Sequence, residues 1–169
     1  RVIGQKCYDL FRTSDCRTAN CACDKAMQSG RPESSETDAH PGGKDLEIAY
    51  SGCPIRDQQG EVIGALEIVM DQTEVKNAQK VTEKIAQYQG KEVDKLAGTL
   101  SKVAEGDLTV SYNVAESDED TKVVAEAFDG ISKALNNTVK SLNDIIGQVT
   151  ESAAQFNEGS RVIAKSSQS

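Results

Sequence analysis

One apolar stripe limits what this chain can become. Val124, Phe128, Ile131, Leu135, Thr138, Leu142, Ile145, Val149, Ser152, Phe156, Gly159 and Ile163 follow one another at alternating steps of four and three. A heptad repeat held over so many turns predicts a coiled-coil helix. From 121 to 169 such a helix is about 73 Å long at 1.5 Å per residue. No globule of 169 residues can enclose it. The stripe is expected to lie against other helices, most simply those of a second copy, which predicts a homodimer. The composition agrees: aromatic residues are 4%, Trp is absent and mean hydropathy is −0.49. Helices that each bury one stripe tolerate such values.

A second helical pattern precedes this one. Val75, Ala78, Val81, Ile85, Tyr88, Val93, Leu96, Leu100 and Val103 step by three or four, except for a step of five from Tyr88 to Val93 around Gly90. Asp71 or Thr73 can cap its start, and Glu74 suits its first turn. Gly106 and Asp107 stop it, and "SDED" opens the next helix, with Ser117 and Asp120 at capping-box spacing. The connector between them is too long for a tight antiparallel turn. It can run back along the first helix, so that both helices point the same way. Val110, Tyr112 and Val114 alternate with polar residues, as in a segment pinned along a groove.

The first third differs. Cys7, Cys16, Cys21, Cys23 and Cys53 all lie there. "CACDKAMQSG" reads as a short helix ended by Gly30. "PESSETD", "DLEIAYSG" and "EVIGALEIVM" read as three strands joined through "HPGG" and "DQQG" turns. The third strand is apolar on both faces, which predicts a buried inner strand. The fold class expected is a mixed α+β portion followed by parallel helices.

These segments resemble known signalling modules. "EVDKLAGTLSKVAEGDL", the acidic "SDED" and "VVAEAFDGISKAL" resemble a HAMP domain, the signal-relay module of bacterial receptors. The resemblance implies a parallel four-helix bundle in a dimer. Val93, Leu96, Leu100 and Val103 are its first-helix layers, Leu108 its connector anchor, and Val124, Phe128, Ile131 and Leu135 its second-helix layers. Glu92 stands about where most such first helices carry Pro. "VIGQKCYDLF" and "GEVIGALEIVMDQTE" resemble the later half of a PAS sensor, whose first two strands are expected upstream of residue 1. "ALNNTVKSLNDIIGQVTESAAQFNEGSRVIAKSSQS" resembles the entry to the signalling helix of methyl-accepting chemotaxis proteins. The implied order is a PAS-like sensor over 1–73, a connecting helix over 74–90, HAMP over 91–140 and the start of the signalling helix over 141–169.

Function follows as expectation. The chain is read as a non-enzymatic chemoreceptor segment. By resemblance, its output reaches a chemotaxis histidine kinase and coupling protein through a downstream tip, and its setting is the cytoplasmic portion of a membrane-anchored bacterial receptor. The relay of a sensor histidine kinase or cyclase is the alternative, and a purely structural coiled coil a third. A net charge of −8 argues against nucleic acid, which needs clustered Lys and Arg. No apolar run is long enough to span a membrane. No signal-peptide pattern is visible, and a piece of a longer protein is expected.

The thiols follow C-x8-C-x4-C-x-C, with Cys53 apart, which fits neither a zinc ribbon nor a haem attachment motif. Cys7, Cys16, Cys21 and Cys23 are candidates for redox sensing or metal binding. Buried reduced cysteines acting as small apolar residues are the competing reading. The nature of any cofactor is left open. His40, the sole histidine, is expected to be a solvated turn residue.

Overall fold

The computed structural model describes residues 3–167. The outermost ends of the expected PAS-like and signalling segments, 1–2 and 168–169, lie outside the described residues. The chain divides into two compact units, Arg1–Lys80 and Val81–Ser169.

In the first unit, α1 (Cys7–Leu10) and α2 (Ala22–Ser29) precede the strands β1 (Glu33–Ala39), β2 (Leu46–Arg56) and β3 (Val62–Asp71). The strands form an antiparallel meander in the order β1-β2-β3. Register pairs Ser35 with Tyr50 and Tyr50 with Val69. Each turn follows from its residues. Gly30 ends α2 in the left-handed conformation and donates to Ala26 O. Asp57 Oδ1 accepts the N–H groups of Gln59 and Glu61 and so fixes the β2–β3 turn. A 3-10 turn over Pro41–Gly43 joins β1 to β2.

Alternation along β2 turns Ile48, Tyr50 and Gly52 to one face. There Ala22 of α2, Ala39, Ile48 and Tyr50 make a small core, flanked by Leu46 and Val69. Gly52 is required by closeness, since a Cβ there would lie 2.6 Å from Cys23 Cα. β3 is not the buried inner strand expected from its apolar run. It is an edge of the sheet, and its Leu66, Ile68 and Met70 are exposed. Apolarity on both faces of a strand does not specify what covers the second face.

The helix α3 (Thr73–Ala104) begins directly after β3 and continues unbroken through Gly90. Asp71 Oδ1 accepts both the N–H and the hydroxyl of Thr73, and Thr73 Oγ1 accepts the N–H of Glu47. The expected capping pair therefore ties the helix start to β2. Within the first unit, Lys76 pairs with Glu36 at 2.6 Å and Lys80 with Glu47 at 3.1 Å.

In the second unit, the later part of α3 and α4 (Lys122–Ser166) flank an extended connector. Gly106 has φ 92°, its N–H reaches Val103 O, and the N–H of Asp107 reaches Lys102 O. This is a Schellman stop, which favours glycine because of its positive φ. The N-cap of α4 is Thr121, four residues after the expected Ser117, and its side chain makes no capping bond within the helix. Asp118 Oδ1 accepts the N–H of Thr121, while Thr121 Oγ1 accepts the N–H of Asp118. Asp118 also meets Lys84 at 2.6 Å, which holds the turn ahead of α4 to α3.

Candidate functional site

The connector is the first of two candidate sites. Tyr112 is fully buried. Its hydroxyl donates to Glu92 Oε2 of α3 at 2.6 Å. Its N–H donates to Asn136 Oδ1 of α4, and its carbonyl accepts from Ser132 Oγ at 2.6 Å and Asn136 Nδ2 at 2.8 Å. Glu92 is 1% exposed, and its other oxygen accepts the N–H of Ala115. A buried carboxylate is tolerable only with such partners. Burial, reinforced by the Glu92 bond, raises the Tyr112 phenol well above its ordinary range.

Contacts along the connector fix its direction. Leu108 O accepts from Asn143, Tyr112 meets Asn136 and Ser132, and Thr121 opens α4. On α3, Lys95 donates to Asn113 O, Glu92 holds Ala115, and Lys84 reaches Asp118 and Asp120. As the connector advances, its partners move backwards on both helices. It is antiparallel to each, so the two helices are parallel to one another.

The residues expected as packing layers fall into two sets. Phe128 is 7% exposed within a single chain, with Val124, Leu96, Val103, Leu108 and Leu135 half-buried. Val93, Leu100 and Ile131 are 44–49% exposed, and Ile145, Val149, Phe156 and Ile163 are exposed further along α4. Gly106 and Asp107 form the break itself. Apolar spacing carries no signal for the polar pins Ser132 and Asn136, and Glu92 stood out only as the residue where most such first helices carry Pro. Asn136 and Ser132 share one face of α4 at the spacing of a helical turn, and that was the signal available.

The second candidate is a cleft of ≈530 Å³ in the first unit, lined by Cys7, Tyr8, Arg17, Cys21, Cys23 and Met27 among others. The Arg17 guanidinium sits 4.2 Å from the centre of the Tyr8 ring. All five cysteines are unpaired thiols. Three of the four candidate thiols share this cleft. Cys16 is held beside it, its sulfur accepting the N–H of Thr13 at 3.3 Å. Burial, with the Glu67 charge next, pushes Cys23 up to about 12, and the same two causes raise Cys7. Burial also raises Glu67. Among the described residues, no group of three or more His, Cys, Asp or Glu side chains is arranged to hold a metal ion.

Beneath the loop that joins the thiols, Asp15 is 8% exposed. Its Oδ2 accepts from Ser35 at 2.7 Å and from the Tyr50 hydroxyl at 2.9 Å, and Tyr50 in turn accepts the N–H of Ala22. His40 is a half-exposed turn residue, as expected, and it also has two carboxylate partners. Its Nδ1 lies 2.8 Å from Asp45 and its Nε2 2.8 Å from Asp38, while Asp38 also accepts the N–H of Ser14. The family model described as PAS fold matches residues 1–77.

The first unit is PAS-like. Its three-strand antiparallel sheet with helices on one face fits that assignment, and a PAS-like portion points to a signal-sensing role. No match was found among curated proteins or among solved structures. Among the described residues, no helix is long and apolar enough to cross a membrane.

Proposed function

We propose that this chain is a sensory relay segment of a bacterial chemoreceptor. The PAS-like portion senses, residues 91–140 act as a HAMP relay, and the rest of α4 begins a methyl-accepting signalling coiled coil. The observation that carries this reading is the connector. An extended segment pinned between two parallel helices is what a parallel four-helix bundle requires of each chain. The apolar residues left exposed on both helices supply the surface for a second chain. The output is a bias between packings of the bundle, passed along α4 to a histidine kinase and its coupling protein. No catalytic step belongs to this segment. The same relay serves a sensor kinase or cyclase equally well, and the exposed apolar stripe of α4 extending to Ile163 favours the chemoreceptor.

Light scattering across a concentration series tests the assembly. The expected mass is that of a dimer. A fully helical monomer at micromolar concentration overturns the relay reading. Kinase output of the parent receptor, measured with and without residues 1–73, tests the sensory role.

A further inference from the structure

The sheet of the first unit has two faces, and α2 covers one of them. Tyr50 and its partner Val69 belong to the covered face. Strand alternation therefore turns Ala49, Ser51 and Cys53 of β2 to the other face, with their partners Met70, Ile68 and Leu66 of β3. On that face the β3 side chains stand open: Leu66 is 55% exposed, Ile68 54% and Met70 62%. A single exposed apolar residue needs no explanation, whereas a contiguous row of them marks a surface that something covers. The strand carries no Lys or Pro that would guard it against association.

We propose that a second copy of this chain covers this face, sheet against sheet about a two-fold axis. Charge argues for that occupant. The chain carries −8, so two copies repel over much of their surface. The six residues of this face include no charged side chain. The two carboxylates that border it toward β1 are each matched within the chain, Glu36 by Lys76 at 2.6 Å and Glu47 by Lys80 at 3.1 Å. A basic partner finds no unpaired carboxylate here, while an acidic copy finds none to oppose it. The pairing is isologous: the row of Leu66, Ile68 and Met70 in one copy meets the same row in the other, and the small residues beside each row leave room for the side chains to interdigitate. β3 runs directly into α3, so helices that already join two copies raise the effective concentration of one sheet for the other. The proposal adds a second contact surface to the dimer and rests on the relay reading for that tether alone.

Sedimentation equilibrium of the full chain tests it. Ile68→Glu and Leu66→Glu each place a carboxylate opposite its own copy in an apolar layer. Each is expected to raise the dimer dissociation constant at least about tenfold. Gln59→Glu adds the same charge in the exposed β2–β3 turn, away from the face, and is expected to leave the constant unchanged. Because Leu66 and Ile68 are exposed in the single chain, circular dichroism should show both variants folded. A constant unchanged in either variant, or lowered affinity in Gln59→Glu as well, overturns the proposal. Ile145→Lys separates this surface from the helical one. A dimer that survives Ile145→Lys and is lost in Ile68→Glu supports the sheet contact and counts against the relay reading. A dimer lost in Ile145→Lys and unaffected by Ile68→Glu overturns the sheet contact and leaves the relay reading standing.

Discussion

His40 shows how two carboxylates can set the behaviour of one ring. Asp45 first and then Asp38 raise its pKa above the ordinary 6.5, while Ser14 first and then His40 lower that of Asp38. The sign follows from linkage. A raised histidine contributes stability that is full below 6.5 and is lost as pH climbs through the folded value. A depressed aspartate contributes stability above its ordinary range, lost as pH falls through the folded value. The cluster joining the Phe11–Ser14 loop to the end of β1 is therefore expected to be firmest in mildly acid solution. NMR titration of His40 should give a midpoint above 6.5, moving back toward it in Asp45→Asn. A midpoint below 6.5 contradicts the ion-pair geometry. At the connector, Tyr112→Phe deprives the buried Glu92 of a partner, and a loss of about 1–3 kcal/mol is expected. Glu92→Gln combined with Tyr112→Phe in a double-mutant cycle should show coupling in urea unfolding. Additive losses would mean that the bond is incidental.

Helix ends and interiors respond differently to the same change. Gly106 has φ 92° with open space around a would-be Cβ. Gly106→Ala then meets backbone strain without a clash, and about 1–2 kcal/mol of destabilisation is expected. Gly90 also has open space, yet it lies inside α3. Gly90→Ala should stabilise the helix by about 1 kcal/mol. Thermal unfolding of both variants checks the contrast, and equal effects would contradict the two backbone conformations. The step of five from Tyr88 to Val93 surrounds Gly90. If the chain is the proposed relay and that step conveys rotation into it, deleting one residue at 89–91 should lock the output of the proposed parent receptor in one state. Output levels unchanged by the deletion would make the phase break incidental.

For the whole molecule, the proposed dimer would separate two kinds of apolar residue. Ile145 is 55% exposed in one chain, whereas Phe128 is 7% exposed. Ile145→Lys should leave the helical content of the single chain intact and raise the dimer dissociation constant at least tenfold. Phe128→Asp should damage both, because it buries a charge inside one chain as well as beside any partner. Sedimentation with circular dichroism separates the outcomes. Loss of helix in Ile145→Lys would contradict its exposed position.

Much of this organisation is legible in the residues alone. Apolar spacing marks both long helices, Gly106 and Gly30 mark helix stops, and alternation marks the strand around Ile48 and Tyr50, because each signal is local and repeats within a few residues. The Ser117–Asp120 spacing did not mark the start of α4: Thr121 is its N-cap, and Asp118 instead closes the turn before it, held by Lys84, far away in sequence. The edge position of β3, the partners of Asp15 and the sorting of five thiols were not legible. Nor was the pairing of Glu92 with Tyr112, 20 residues apart. Periodicity tells which face of an element avoids water. Which polar group satisfies which, and what covers a second apolar face, depends on contacts between distant segments, and those exist only once the chain has folded.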